Sequence, residues 1–392
     1  MAKKYYSYLI IILALIFFST VIIKHNFVFP GDDFADSSNQ MEHESMMTGY
    51  NISVSNNNQA IMGLRDFRKI AKGKNEIPVS VMEEYYDKIG PSQILNVIEE
   101  DKFCHWKGHN AGRAILRKTK NLNQAINLCK TRCTTGCFHG TLMELFNSSS
   151  DNHITISDIN RTINSICNNT DVRRYIGEGV CIHGLGHALL LISYYNISTA
   201  LQYCNLFNYR GHVYYCATGV FMERDLVYGA KDKQSAYLYP CDTYKDYPAA
   251  CYRYKLRRLY PPHKTDFRLV SEECMKLKTT EERNGCFHGL GFSYYKFIYT
   301  YPEKLSTLCS YGGYVDKRMC IEGAIGILVV YNRTIANRAC SFLSSESRKI
   351  CEDSMKVTNF GMGRDFEIYY QKNPNAQTIL TDKNNKTIVA RS

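Results

Sequence analysis

The stretch Cys181-Ile-His183-Gly184-Leu-Gly186-His187, running on into the apolar residues Ala188 to Ile192, decides how this chain is read. A cysteine opens it, a small or polar step containing glycine follows, and apolar residues then continue at helical spacing. The same order recurs at Cys104-His105-Trp-Lys-Gly-His109, Cys137-Phe-His139-Gly, Cys216-Ala-Thr218-Gly, Cys251-Tyr-Arg253-Tyr, Cys286-Phe-His288-Gly-Leu-Gly, Cys320-Ile-Glu322-Gly and Cys351-Glu-Asp-Ser. Successive starts lie 33, 44, 35, 35, 35, 34 and 31 residues apart, the span of two helices and their turns. A second, shorter helix in each unit ends near another cysteine, as in Ala200-Leu-Gln-Tyr-Cys204 and Pro302-Glu-Lys-Leu-Ser-Thr-Leu-Cys309.

The two cysteine classes alternate, so each helix-ending cysteine is expected to pair with the one that opens the next unit: Cys167 with Cys181, Cys204 with Cys216, Cys241 with Cys251, Cys274 with Cys286, Cys309 with Cys320 and Cys340 with Cys351. In the first unit Cys129 takes Cys137, which leaves Cys133 for Cys104. Connectivity does not follow from sequence alone. The competing use of Cys129, Cys133 and Cys137 is metal chelation, but the other cysteines lack the paired C-x2-C spacing of structural zinc sites. The expected fold is all-α: about eight disulfide-linked helix-pair repeats, arranged as a solenoid or as a closed α/α ring.

Over roughly residues 100 to 355 the chain resembles the secreted, disulfide-stapled tetratricopeptide-like repeat proteins, through its period and its staple per repeat. It lacks their Trp-Leu-Gly-Tyr signature, and the Cys-x-His-Gly start has no place in their pattern. It is also similar to exported Cys/His helical-repeat proteins of microbes, a likeness that implies no activity.

Residues Tyr5 to Ile23 form an apolar run behind Lys3 and Lys4, nearly long enough to span a membrane at about 1.5 Å per residue. This segment is expected to be an uncleaved signal anchor, with a cleaved signal peptide as the alternative. The two lysines keep residues 1–4 cytoplasmic and place the rest outside, either membrane-anchored or secreted. Sixteen cysteines fit that oxidising side. Seven Asn-x-Ser/Thr sequons, at Asn51, Asn147, Asn160, Asn168, Asn196, Asn332 and Asn385, suit an exported glycoprotein, although an Asn-rich chain produces such triplets by chance. Residues 24–61 read as a flexible linker, 62–103 as a helical cap, 104–370 as the repeat domain and 371–392 as a polar tail.

The net charge of +11 is spread along the chain, and an outward-facing body seldom meets nucleic acid, so no nucleic-acid partner is expected. One basic stretch runs from Arg253 through Lys255, Arg257 and Arg258 to Lys264 and Arg268. It reads as a solvated helix face or as a surface for an anionic partner. Met41, His43, Met46 and Met47 in the linker are soft ligands suited to copper, or simply polar filler. Tyrosine clusters near Tyr194, Tyr214, Tyr252 and Tyr295 read as packing between repeats.

Chemistry concentrates in the histidines. His105 and His109, and again His183 and His187, are four apart and share a helix face, so each pair can present two imidazoles to one metal. His139 holds the equivalent position in the second repeat, while Glu144 and Glu223 each follow their opening cysteine by seven residues. If the equivalent helices face one cavity, His105, His109, His139, Glu144, His183, His187 and Glu223 form a site for one or two zinc, copper or iron ions. The plainer alternative is a histidine in each first turn that bonds a neighbouring repeat's backbone. Neither His-x3-His pair carries the glutamate of a zinc protease helix, and no hydrolase, phosphate-loop or haem motif assigns a reaction. Glu144, Glu178 or Glu223 is the candidate base should a metal-bound water be used. The expected function is transition-metal binding outside the cytoplasm, and the alternative is a binding scaffold for a protein or cell-surface polymer.

Overall fold

The computed structural model describes residues 54–147, 157, 161, 163–207, 210–229, 238–256 and 266–356, with two short segments at 379–381 and 387–389. The chain divides into two units, Met1–Ile52 and Ser53–Ser392, and every described residue belongs to the second. The expected membrane segment 5–23 and the Met/His motif at 41–47 lie outside the described residues. Among the described residues no helix is long and apolar enough to cross a membrane.

Helices α1 (Val54–Ala71), α2 (Val79–Ile89) and α3 (Pro91–Glu99) come first. α1 corrects the boundary of the expected linker, since residues 54–61 are already helical. Their polar, Asn-rich turn masks a helix whose packing residues, Leu64, Phe67 and Ala71, come later. Then long and short helices alternate. The long ones are α4 (His105–Thr119), α6 (Gly136–Asn147), α8 (Glu178–Ile192) and α10 (Arg210–Tyr228). The series continues with α11 (Pro248–Lys255), α13 (Thr280–Ser293), α16 (Tyr314–Tyr331) and α18 (Ser345–Ser354). Between them lie α5 (Leu122–Cys129), α7 (Thr170–Tyr175), α9 (Ile197–Cys204), α12 (Phe267–Met275), α14 (Tyr295–Thr300), α15 (Leu305–Leu308) and α17 (Arg333–Ser341). In the tail, Ile379–Thr381 and Thr387–Val389 pair as two short antiparallel strands beside an otherwise helical body.

Two kinds of helix follow from two kinds of sequence. α9 is amphipathic, burying Ile197, Ala200, Leu201 and Cys204 on one stripe, and Asn196 caps it by accepting from Thr199 N at 3.1 Å. Asn121 and Asn332 cap α5 and α17 in the same way, so two of the seven sequons, at Asn196 and Asn332, are also helix caps. α8 by contrast is buried continuously from Cys181 to Leu190, as befits a helix with neighbours on every side.

Eight disulfides, Cys104–Cys133, Cys129–Cys137, Cys167–Cys181, Cys204–Cys216, Cys241–Cys251, Cys274–Cys286, Cys309–Cys320 and Cys340–Cys351, use every cysteine. Seven join residues only 8 to 14 apart, so in the chain-entropy picture each contributes somewhat under about 3 kcal/mol. Bridges in this number place the body in an oxidising compartment.

Each long helix packs on the next, α4 on α6, α6 on α8, α8 on α10, α10 on α11, α11 on α13, α13 on α16 and α16 on α18. Glycines set the spacing. A Cβ on Gly140 would collide with the His109 carbonyl and one on Gly112 with the Cys137 carbonyl, and Gly186 and Gly219 stand in the same relation across α8 and α10. The start of the first repeat also touches residues far along the chain. Phe103, just before α4, lies with its ring centroid 5.7 Å from Tyr295, 5.5 Å from Tyr299 and 5.3 Å from Tyr331, residues of the sixth and seventh repeats.

Of the basic stretch, Arg268 is exposed as a solvated face requires, whereas its two residues on α11 are buried. Arg253 is 1% exposed and Lys255 is 4% exposed, because α11 lies between α10 and α13.

Candidate metal centre

Helices α4, α6 and α8 bring one imidazole or two each to a common point. The ligand atoms of His105, His109, His139 and His187 all lie within 4.8 Å of one another. His183 adjoins them, its Nε2 3.1 Å from His187 Nε2. His105 is partly exposed, whereas the other four are at most 4% exposed. The i, i+4 spacing accounts for two of the close pairs, with Nε2 to Nε2 distances of 3.2 Å in His105/His109 and 3.1 Å in His183/His187. Tetrahedral zinc with bonds of 2.0–2.1 Å has ligand atoms about 3.3 Å apart, so both pairs already stand near that edge length.

Hydrogen bonds at the outer ring nitrogens fix which nitrogens face inward. His105 Nδ1 lies 3.0 Å from the Thr134 carbonyl, which can only accept, so this nitrogen carries the proton and Nε2 holds a lone pair. The Thr218 hydroxyl donates to the Tyr215 carbonyl at 2.6 Å, so its oxygen accepts from His183 Nδ1 at 2.7 Å. His187 Nδ1 donates to Glu223 Oε2 at 3.0 Å. His183 and His187, when neutral, therefore point two lone pairs at each other across 3.1 Å, an arrangement that a cation between them relieves. The Thr135 hydroxyl donates to the Thr134 carbonyl at 2.6 Å and accepts from His139 Nε2 at 3.3 Å. That leaves His139 Nδ1 buried with no hydrogen-bond partner, a vacancy that ordinarily costs about 1–3 kcal/mol.

Burial, followed by the charges of neighbouring imidazoles, pushes His109, His139 and His183 well below the usual imidazole range. They are neutral at neutral pH, the form that binds metal. Glu223 is 3% exposed, touches His187, and lies 3.8 Å from His109 Nδ1. A buried carboxylate orienting a ligating imidazole is the usual support of a metal site.

Against known proteins, the chain matches no family model, no curated protein and no solved structure. Its chemistry therefore rests on its own geometry.

Glu144 stands apart from the cluster. Its oxygens lie 3.2 Å from Arg113 Nε and 2.6 Å from Arg117 Nε, which claim it for the α4–α6 contact. Glu178 is also held elsewhere, by Arg173 at 3.0 Å and His212 at 3.4 Å. Of the three carboxylates considered as bases, Glu223 is the one that touches a cluster histidine. His288 is buried in α13, outside the four-histidine group.

Thr134, Thr135 and Thr218 have no sequence signature as site residues, yet they orient three of the imidazoles. Cys133, Thr134 and Thr135 take φ values of 51°, 54° and 67°, a left-handed run that β-branched residues rarely adopt. This turn, tied to α4 through Cys104–Cys133, aims the Thr134 carbonyl at His105 and the Thr135 hydroxyl at His139. Gly184 is likewise part of the site, for the His139 ring fills the place where its Cβ would stand.

Proposed function

We propose that this protein binds a divalent first-row transition metal, zinc, copper or iron, outside the cytoplasm. His105, His109, His139 and His187 are the ligand set, and His183 is an adjoining fifth imidazole. The gathering of four imidazoles whose ligand atoms lie within 4.8 Å of one another carries this reading, and outward hydrogen bonds at Nδ1 turn the Nε2 atoms of His105 and His187 inward. With all cysteines bridged, no thiolate is on offer, and an imidazole set with a buried carboxylate behind it suits zinc, copper or iron. We read the helix series as a closed ring of repeats, supported by the Phe103 contacts with Tyr295, Tyr299 and Tyr331 and by the reach of His109 on α4 to Glu223 on α10.

The test is inductively coupled plasma mass spectrometry on the full-length protein, purified without added histidines and reloaded with each metal in turn. At least one equivalent is expected, lost in His183→Ala/His187→Ala while the circular dichroism of the fold is kept. A folded wild type that stays metal-free after reloading would sink the proposal.

A further inference from the structure

A cavity of about 80 Å³ lies against the histidine cluster. His105, His139 and His183 line it, together with Arg253, Tyr254 and Phe292. Trp106 and Lys296 also line it, Lys296 being exposed and Trp106 partly so, and the cavity therefore connects the buried imidazoles to solvent. Among the described residues, no aspartate or glutamate lines it. Its cations are placed at two depths. Arg253, 1% exposed, stacks its guanidinium 3.9 Å from the Phe292 ring centroid, and Lys296 Nζ sits 4.4 Å from the Phe103 centroid.

A buried guanidinium and three imidazoles lining one cavity, together with aromatic, aliphatic and hydroxyl side chains, fit one ligand chemistry. An oxyanion is held by the guanidinium and by the metal together, and a short apolar group lies on the rings. The volume fixes the scale. It is about half the volume of a cavity of about 150 Å³ that holds benzene, room for a carboxylate with a short chain.

We propose that this cavity is the co-ligand site of the metal centre and takes a small carboxylate anion, with Arg253 as its anion-binding residue. The inference rests on the metal reading. It adds that the bound ion takes a fifth ligand from the cavity side beyond its four imidazoles, which a closed structural site does not.

The experiment uses full-length protein loaded with cobalt(II), whose visible spectrum reports its ligands, titrated with acetate, propionate and benzoate. Acetate and propionate are expected to change the spectrum saturably, and benzoate to leave it unchanged. Arg253→Met should weaken acetate binding at least tenfold with the cobalt stoichiometry unchanged. Val180→Phe, which fills the cavity from α8, provides an independent check should the buried arginine prove necessary for folding, and it should abolish the response. Cobalt bound at full stoichiometry with no saturable response, or with a response indifferent to both variants, overturns the co-ligand site and leaves the metal centre standing. Failure to bind cobalt overturns both.

Discussion

At the scale of single residues, the site is a problem of protons. In His105, His139, His183 and His187 the inward nitrogen is set by a partner on the far side of the ring, so the partners are as necessary as the ligands. Glu223→Gln keeps the shape and removes the charge that holds the proton on His187 Nδ1. A loss of metal affinity of about 10- to 100-fold is expected by competition with a chelator, with the fold intact. A variant that binds as tightly as wild type would show Glu223 to be a bystander. The metal-free protein should also be acid-sensitive. His109, His139 and His183 are depressed in the folded chain, so as pH falls below the ordinary imidazole value of about 6.5 the unfolded chain takes up protons that the folded chain refuses. Stability is then lost as pH falls from about 6.5 toward the depressed values and is full above that range. Denaturant melts at pH 7.5 and 5.5 check this, and an unchanged midpoint contradicts it. The paired histidines were legible in the sequence because i, i+4 spacing alone puts two rings on one face. The roles of the glutamates were not. Glu144 and Glu223 hold the same register, and what separates them is that Arg113 and Arg117 of a neighbouring helix reach Glu144.

At the scale of helices, glycines do two separate jobs that the sequence writes identically. Gly140 lets α6 approach α4, and a methyl group there meets backbone that cannot step aside. Gly140→Ala should destabilise by at least about 1–3 kcal/mol, the usual cost of overpacking, read from denaturant unfolding. Gly184 instead makes room for the ring of His139. Gly184→Ala should therefore weaken metal binding more than it weakens the fold, and a variant that loses stability but binds metal normally would refute that assignment. The helix-pair period was legible because opening cysteines, glycines and apolar runs recur together. The start of α1 was not, since its first turns are polar and its packing residues come later. Nor was the burial of Arg253 and Lys255, because a run of basic residues does not announce that helices will cover it from two sides.

At the scale of the whole described body, curvature decides whether the histidines meet, and no local pattern encodes curvature. It arises from small rotations between successive helices, each set by packing on both faces. The contacts that record it join residues far apart in the chain, foremost Phe103 with Tyr295, Tyr299 and Tyr331. These contacts yield a prediction that separates a closed winding from an open array. In an open array each repeat feels only its neighbours, so damage at the first repeat leaves the sixth and seventh as they were. In a closed one the last repeats lose a partner. Phe103→Ala, at a half-buried aromatic position, should cost less than the about 3–5 kcal/mol of a fully buried phenylalanine. Its signature lies in where the cost falls. Amide hydrogen exchange should rise in α13 and α16, more than 170 residues downstream, as well as around α4. Because the same winding holds α4 against α8 and α10, the variant should also bind metal less tightly although no ligand is touched. Faster exchange confined to α4 and its sequence neighbours, with metal affinity unchanged, would mean that the ends are in contact without supporting one another.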